Sequence, residues 1–235
     1  MSPPSRPFGA RRLVKAAVFL ACLAPLAVLV ADALTGRLGA NPINATELRT
    51  GIWSLTFLTA TLAVTPLRRL TGWNALAGYR RMLGLFTFAY VTLHFLTWFG
   101  IDEFFSLGEI GRDIARRPYI TVGFASFLLL IPLAATSSAA MVRRLGKRWK
   151  TLHGLIYVAA LGGIVHFVWE VKAGMAAPTR YALVLAGLLL LRFAPRPLRL
   201  RRAAPRHQKQ KQLVEPPPLE PNRGLTTLLK IEPNV

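Results

Sequence analysis

Cysteine is almost missing from this chain: Cys22 is the only one, and it sits inside an apolar run. That excludes a disulfide framework, a CxxC pair and a thiolate metal site, and it leaves the redox compartment unreadable from cysteine. Acidic residues are scarce as well, 10 against 30 basic ones, for a formal net charge of +20. There is no GxGxxG turn, no Walker-type glycine loop and no internal repeat, so no nucleotide-binding domain is recognisable. What the chain has in abundance is apolar residues, 53% of its 235 positions. A soluble domain does not easily combine so apolar a composition with so much charge. A polytopic membrane protein does, because apolar runs of about 18 residues or more mark spans and basic residues collect in the loops of one face. Nucleic-acid binding is the other usual reading of a basic chain. It is set aside here, and no nucleic-acid partner is expected.

Hydropathy places six spans at approximately 13–31, 52–66, 82–101, 119–136, 151–169 and 178–194, the second being the shortest. Every backbone polar group within lipid must be satisfied inside its own segment, so these runs are expected to be helices and the fold an all-α, six-helix membrane bundle. The expected organisation is an N-terminal segment 1–12, a transmembrane domain 13–194 and a basic, Pro-rich tail 195–235. The tail contains RPLRLRRAAPRHQKQKQ and then EPPPLEPN, a composition that cannot bury a core and is expected to be disordered. Its arginine run suits anionic lipid headgroups better than a specific partner. The N-terminal segment, the second and fourth loops and the tail hold 23 of the 30 basic residues. The opposite loops hold seven basic residues balanced by Asp32, Glu47, Asp102, Glu103, Glu109, Asp113 and Glu170. The basic face is therefore expected to be cytoplasmic, with both termini inside. The start, through Ala31-Asp32-Ala33, resembles a cleavable signal peptide, but its apolar run exceeds the usual signal core and an uncleaved first span is expected.

Three of the four histidines fall within spans, and His207 lies in the tail. Ionisable residues at membrane depth are costly and face the bundle interior, where they mark functional sites. A single histidine could equally be an interhelical hydrogen bond. Heights along the third and fifth spans, at 1.5 Å per residue, put His94 and His166 within roughly 5 Å of one level in the same half of the membrane. His153 lies roughly 20 Å away, near the inner surface, with no histidine at its level. Two facing imidazoles fall short of the ligand set that zinc requires, and no Cys, Asp or Glu lies at that depth. Haem needs only two axial ligands and is itself apolar, so a bis-histidine haem on His94 and His166 fits the inventory best. Gly162 and Gly163 either let a flat macrocycle approach or simply let helices pack closely. Thirteen residues turn an ideal helix about 220° beyond whole turns, so His153 and His166 would lie on nearly opposite faces. Either the helix is irregular near Gly162-Gly163, or His153 sits at a frayed end facing another pocket. Around that inner level lie Arg80, Arg81, Arg148 and Lys150, with Tyr79, Trp149 and Tyr157. Arginine forks there suit haem propionates, a flavin phosphate or lipid headgroups.

The segments YRRMLGLFTFAYVTLHFLTWFG (79–100) and RRLGKRWKTLHGLIYVAALGGIVHFVWE (143–170) resemble the ferric-reductase-like transmembrane domain shared with NADPH oxidases and metalloreductases. The order RR, G, LH, then W-x-x-LH and HF resembles most closely the MsrQ family. The resemblance covers about 10–195 and implies an electron-transfer protein of the bacterial inner membrane that binds haem b and FMN. It implies electrons taken from the quinone pool and passed to MsrP, a periplasmic molybdopterin enzyme that repairs oxidised methionines. His94, His153 and His166 match the family's haem-associated histidines, with His153 the least secure as an iron ligand. Oxidase relatives carry a second histidine fourteen residues before His94. Here that position is Arg80, which leaves the inner level open for flavin. A stand-alone quinol-linked or metal-reducing b-type cytochrome and a haem-handling transporter are the alternatives.

Overall fold

The computed structural model describes residues 8–171 and 176–193; the expected tail, with His207, lies outside them. Those residues form helices and short connections, without a strand among them. Five helical stretches are long and apolar enough to cross a membrane. They are α1 (Phe8–Leu34), α2 (Pro42–Thr71), α3 (Arg80–Leu96) with a π-helical continuation over Thr97–Asp102, a fourth helix over Pro118–Ala135, and the stretch Lys147–Glu170. In chain order α4 is a short helix, Leu107–Arg116, and α5 is Pro118–Ala135. Two further short helices follow, α6 (Ala139–Leu145) and α7 (Lys147–Leu152), before α8 (Leu155–Glu170). The last helix, α9 (Ala176–Phe193), packs on α2 and α8 and supplies the sixth long element.

The second helix is twice as long as its apolar run suggests, because beyond that run it takes in Asn44, Glu47, Arg49, Arg68 and Arg69, which lower the hydropathy at both ends. Thr46, Thr50, Thr56, Thr59 and Thr61 each donate a hydroxyl proton to a carbonyl one turn back, at 2.7–2.8 Å. These side chains lower the hydropathy while leaving no polar group unsatisfied, so the helix continues through them. Its start is fixed by Asn41, whose side chain accepts the Asn44 N–H at 3.0 Å, followed by Pro42 in the first turn. Gly72, in a left-handed conformation at φ 72°, ends it.

The first helix is tied to the bundle through a defect. Pro25 interrupts its ladder, and beside it the Tyr90 hydroxyl enters between two backbone groups. It accepts the Leu26 N–H at 3.0 Å and donates to the Cys22 carbonyl at 3.0 Å. In an uninterrupted helix those two groups would bond to each other. Tyr90 is 2% exposed and packs with Cys22, Phe57 and Phe86.

The two most extensive helix contacts are α2 with α3 and α5 with α8. In the second pair the approach requires glycine: a Cβ at Gly162 would stand 2.1 Å from Ser126 Oγ. Gly162 therefore serves close packing. The Gly163 side is open, with nothing within 4 Å of a Cβ placed there.

The charges sort to opposite ends. Gly78 approaches Lys15, and Arg69 donates to the Arg192 carbonyl at 2.8 Å, which gathers the ends of α1, α2 and α9 and the start of α3 at a basic end. At the other end Arg49–Asp32 joins α2 to α1 across their loop, and Arg112–Glu109 and Arg117–Asp113 lie along α4. The turn after α3 carries two consecutive left-handed residues, Phe104 at φ 46° and Phe105 at φ 58°. Bulky side chains rarely adopt this conformation, which costs about 1–3 kcal/mol per residue. Hydrogen bonds from Phe105 N–H to the Phe99 carbonyl (3.0 Å) and from Ser106 N–H to the Glu103 carbonyl (2.9 Å) hold it.

Replacing Tyr90 by Phe removes the hydroxyl that accepts from the Leu26 N–H and donates to the Cys22 carbonyl. A loss of about 1–3 kcal/mol is expected. Thermal unfolding of the detergent-solubilised chain, followed by helical circular dichroism, measures it.

Candidate cofactor site

The residues at the acidic end of the bundle are assembled in two matching modules. On α3, His94 Nδ1 lies 2.9 Å from the carbonyl of Glu47 in the first turns of α2. On α8, His166 Nδ1 lies 2.8 Å from the carbonyl of Tyr119 at the start of α5. The separation along the chain is 47 residues in both cases. A carbonyl oxygen only accepts, so each Nδ1 carries the proton and each Nε2 keeps its lone pair. One turn beyond each carbonyl is a glycine over which the ring lies. A Cβ at Gly51 would come within 3.3 Å of His94 Nδ1, and one at Gly123 within 2.7 Å of His166 Nδ1. The sequence shows no internal repeat, yet the same carbonyl, glycine and imidazole arrangement occurs twice. It was missed because a carbonyl contact leaves no trace in side-chain pattern. The readable signal was the pair of glycines, each spaced identically from its histidine.

The two rings face each other across the bundle. Their centroids are 6.1 Å apart and their planes are inclined at 71°. Two imidazole nitrogens each about 2 Å from one metal ion would hold their ring centres about 6 Å apart. The centroid spacing and a free Nε2 on each ring fit a pair of histidines that would hold a haem iron, and the haem would there supply one-electron chemistry. Two buried polar atoms flanking His94, Glu47 Oε1 and Trp98 Nε1, have no hydrogen-bond partner among the described residues, the pattern left by a bound group. No three of His, Cys, Asp and Glu converge among the described residues, so a zinc-type cluster is not formed there.

His153 is held differently. It caps α7 at the break before α8, and α8 runs without interruption through Gly162 and Gly163. The irregularity demanded by the 220° offset therefore falls at His153-Gly154 and not at the two glycines. Thr136 Oγ1 donates to the Pro132 carbonyl at 2.6 Å, so it accepts from His153 Nε2–H at 3.1 Å. That leaves Nδ1 as the nitrogen with a lone pair, the reverse of the other two histidines. The ring stacks on Trp149 at 4.0 Å, and Trp149 Nε1–H donates to the Thr136 carbonyl at 3.0 Å. Thr136, at the end of α5, thus fixes both rings of this level.

Of the arginines expected here, Arg80 is partly buried and lies close enough to His153 and Tyr157 to act on them electrostatically. Arg81 and Arg148 are exposed. The residues that join Arg80 are instead Arg68 and Arg192, the latter with its guanidinium 5.7 Å from the centre of the Tyr157 ring. The three described ion pairs all lie at the opposite end, so this cluster of cations has no carboxylate partner among the described residues. At the acidic end, just past the span, the Glu103 carboxyl is raised from its ordinary value, first by desolvation and then by Asp113 and Asp102, with Arg117 opposing them.

Helices long and apolar enough to cross a membrane, two of which bring His94 and His166 together, define a helical membrane bundle with a paired-imidazole site. The family described as ferric reductase like transmembrane component matches residues 50–164, which include His94 and His153 and end just short of His166. Curated relatives extend the match. The protein-methionine-sulfoxide reductase heme-binding subunit MsrQ of Ralstonia nicotianae is 53% identical over 196 residues, covering 82% of this chain and 90% of that protein. The MsrQ proteins of Rhodospirillum rubrum and Herminiimonas arsenicoxydans are each 51% identical, covering 78% and 77% of this chain and 89% and 84% of their own. The chain belongs to the MsrQ family.

Thr136→Val removes the acceptor of His153 Nε2–H while sparing the backbone bond to Trp149. A destabilisation of about 0.5–1.5 kcal/mol is expected. Near-ultraviolet dichroism of the Trp149–His153 stack, followed through thermal unfolding, reads it.

Proposed function

We propose that this chain is the haem-binding electron-transfer subunit of a methionine sulfoxide reductase system in the bacterial inner membrane. The observation that carries the reading is the facing pair His94 and His166, each with Nδ1–H bound to a backbone carbonyl and Nε2 free. Haem b held between them would be six-coordinate, a state that supplies one-electron transfer and leaves no position for oxygen. The chain's own contribution is to fix the tautomer, orient both rings before the iron arrives, and exclude water from their level. Relatives at about 50% identity bear the name heme-binding subunit of this reductase, which supports the same reading.

The positive-inside distribution places the basic end in the cytoplasm, together with both termini, and the acidic end in the periplasm. In this reading haem b would be held by His94 and His166 and FMN would lie at the level of His153, supplying one-electron transfer between quinol and MsrP at the periplasmic face. The cations Arg80, Arg68 and Arg192 suit the phosphate of FMN, and His153 Nδ1 is the nitrogen available to a cofactor at that level. Arg81 and Arg148 are exposed at the same end and add to its attraction for anions.

The test is optical. Purified protein reduced with dithionite is expected to show a low-spin b-type spectrum, and His94→Ala and His166→Ala are each expected to abolish the bis-histidine form. Full haem retention in both variants would falsify the assignment. The glycine seats give a graded version. Gly123→Ala places a methyl 2.7 Å from His166 Nδ1 and is expected to cost most of the haem, whereas Gly51→Ala, at 3.3 Å from His94, is expected to cost less. Haem per polypeptide, measured as the pyridine haemochrome, ranks them.

A further inference from the structure

We propose that the turn following α3 is the docking surface for the electron acceptor, and that this acceptor is a soluble protein presenting an apolar patch bordered by lysine or arginine. The inference rests on the reading above, that electrons leave this chain at its acidic end. Its centre is apolar and exposed: Phe104 is 78% exposed, Phe105 65% and Leu107 75%. These residues do not belong to a membrane-crossing helix, since Phe104 and Phe105 follow the end of the α3 stretch and Leu107 opens α4.

The surface is rigid and is rooted beside His94. Phe105 covers Gly100, where a Cβ would stand 2.9 Å from its ring, and it meets Phe99 edge-on at 5.3 Å. Phe99 stacks on Phe95 at 5.4 Å, and Phe95 on Phe127 of α5 at 4.8 Å. Phe95 is the residue after His94, so the stack joins the platform to the helix that carries this ligand. A strained turn that is fixed by hydrogen bonds and ring packing loses little freedom when a partner arrives.

The rim carries negative charge. The salt bridges of this end use Asp32, Glu109 and Asp113, while Asp102, Glu103 and Glu170 have no ion-pair partner among the described residues. These three lie around the buried Glu47, and Glu170 is one turn beyond His166. An apolar centre with a charged rim is the anatomy of a specific protein contact, and its sign selects a basic partner. A bilayer is the other surface that could cover two phenylalanines. Carboxylates at Asp102 and Glu103, immediately before them, oppose burial against anionic headgroups.

The experiment uses the full chain, loaded with haem, in nanodiscs of neutral lipid, with purified MsrP as the oxidant of the dithionite-reduced form. The triple variant Asp102→Asn, Glu103→Gln, Glu170→Gln is expected to lower the second-order rate constant about tenfold at low salt and to flatten its dependence on ionic strength. Phe104→Ser is expected to lower the same constant without changing the salt slope. Both variants should keep the wild-type haem spectrum and the wild-type rate with a small neutral oxidant, which shows that the bundle is intact. Wild-type chain that transfers nothing to MsrP overturns the electron-transfer reading itself. Transfer by wild type at a rate that both variants match overturns the docking surface alone. Tryptophan emission added by Phe104→Trp should respond to MsrP. Quenching of that emission by brominated lipid before MsrP is added assigns the ring to the bilayer and overturns the proposal.

Discussion

An imidazole N–H bonded to a backbone carbonyl is the interaction on which the site depends, and it occurs twice. Each bond consumes the Nδ1 proton, fixes which nitrogen faces the interior and stops the ring from turning about its own axis. To reach the carbonyl, the ring must lie across the neighbouring helix, and that is why a glycine occurs one turn further on in both modules. The helix pairs α2–α3 and α5–α8 must then be close along their length, as the Ser126–Gly162 contact illustrates. Ligand geometry and helix packing are thus one constraint expressed at two scales. Because lipid offers no competing hydrogen-bond partner, the carbonyls have little else to bind beyond their own ladder.

Much of this was legible in the sequence, and what was not has physical reasons. The apolar runs showed the helices, and rise per residue put His94 and His166 at one level, where their rings lie 6.1 Å apart. The extent of α2 was not legible, because Asn44, Glu47, Arg49, Arg68 and Arg69 take its two ends out of the apolar run while the backbone stays helical. The amphipathic α4 escaped notice as well, being too short and too charged to register as a span. The turn of about 220° between His153 and His166 correctly required a break or a helix end. Of the two places it allowed, the helix end at His153 is the one formed, with the break at His153-Gly154, while Gly162 is needed for contact. The carbonyl partners of the two histidines were beyond reach, since every residue has a carbonyl.

The two ends of the bundle use charge in opposite ways. At the acidic end, one arginine–carboxylate pair joins α1 to α2 and two run along α4. At the basic end, Arg68, Arg80 and Arg192 lie close together without a carboxylate partner among the described residues, so their mutual repulsion favours an anion there. Sequence counting recovered this asymmetry. It did not recover which arginines meet, because Arg68, Arg80 and Arg192 come from three separate helices.

The hydroxyl of Tyr90 in the ladder of α1 bears on how the protein is made. The hydroxyl that accepts the Leu26 N–H and donates to the Cys22 carbonyl belongs to a residue synthesised 64 positions after Leu26. The polar contacts of α1 beside Pro25 are therefore completed only by α3, the helix that also carries His94.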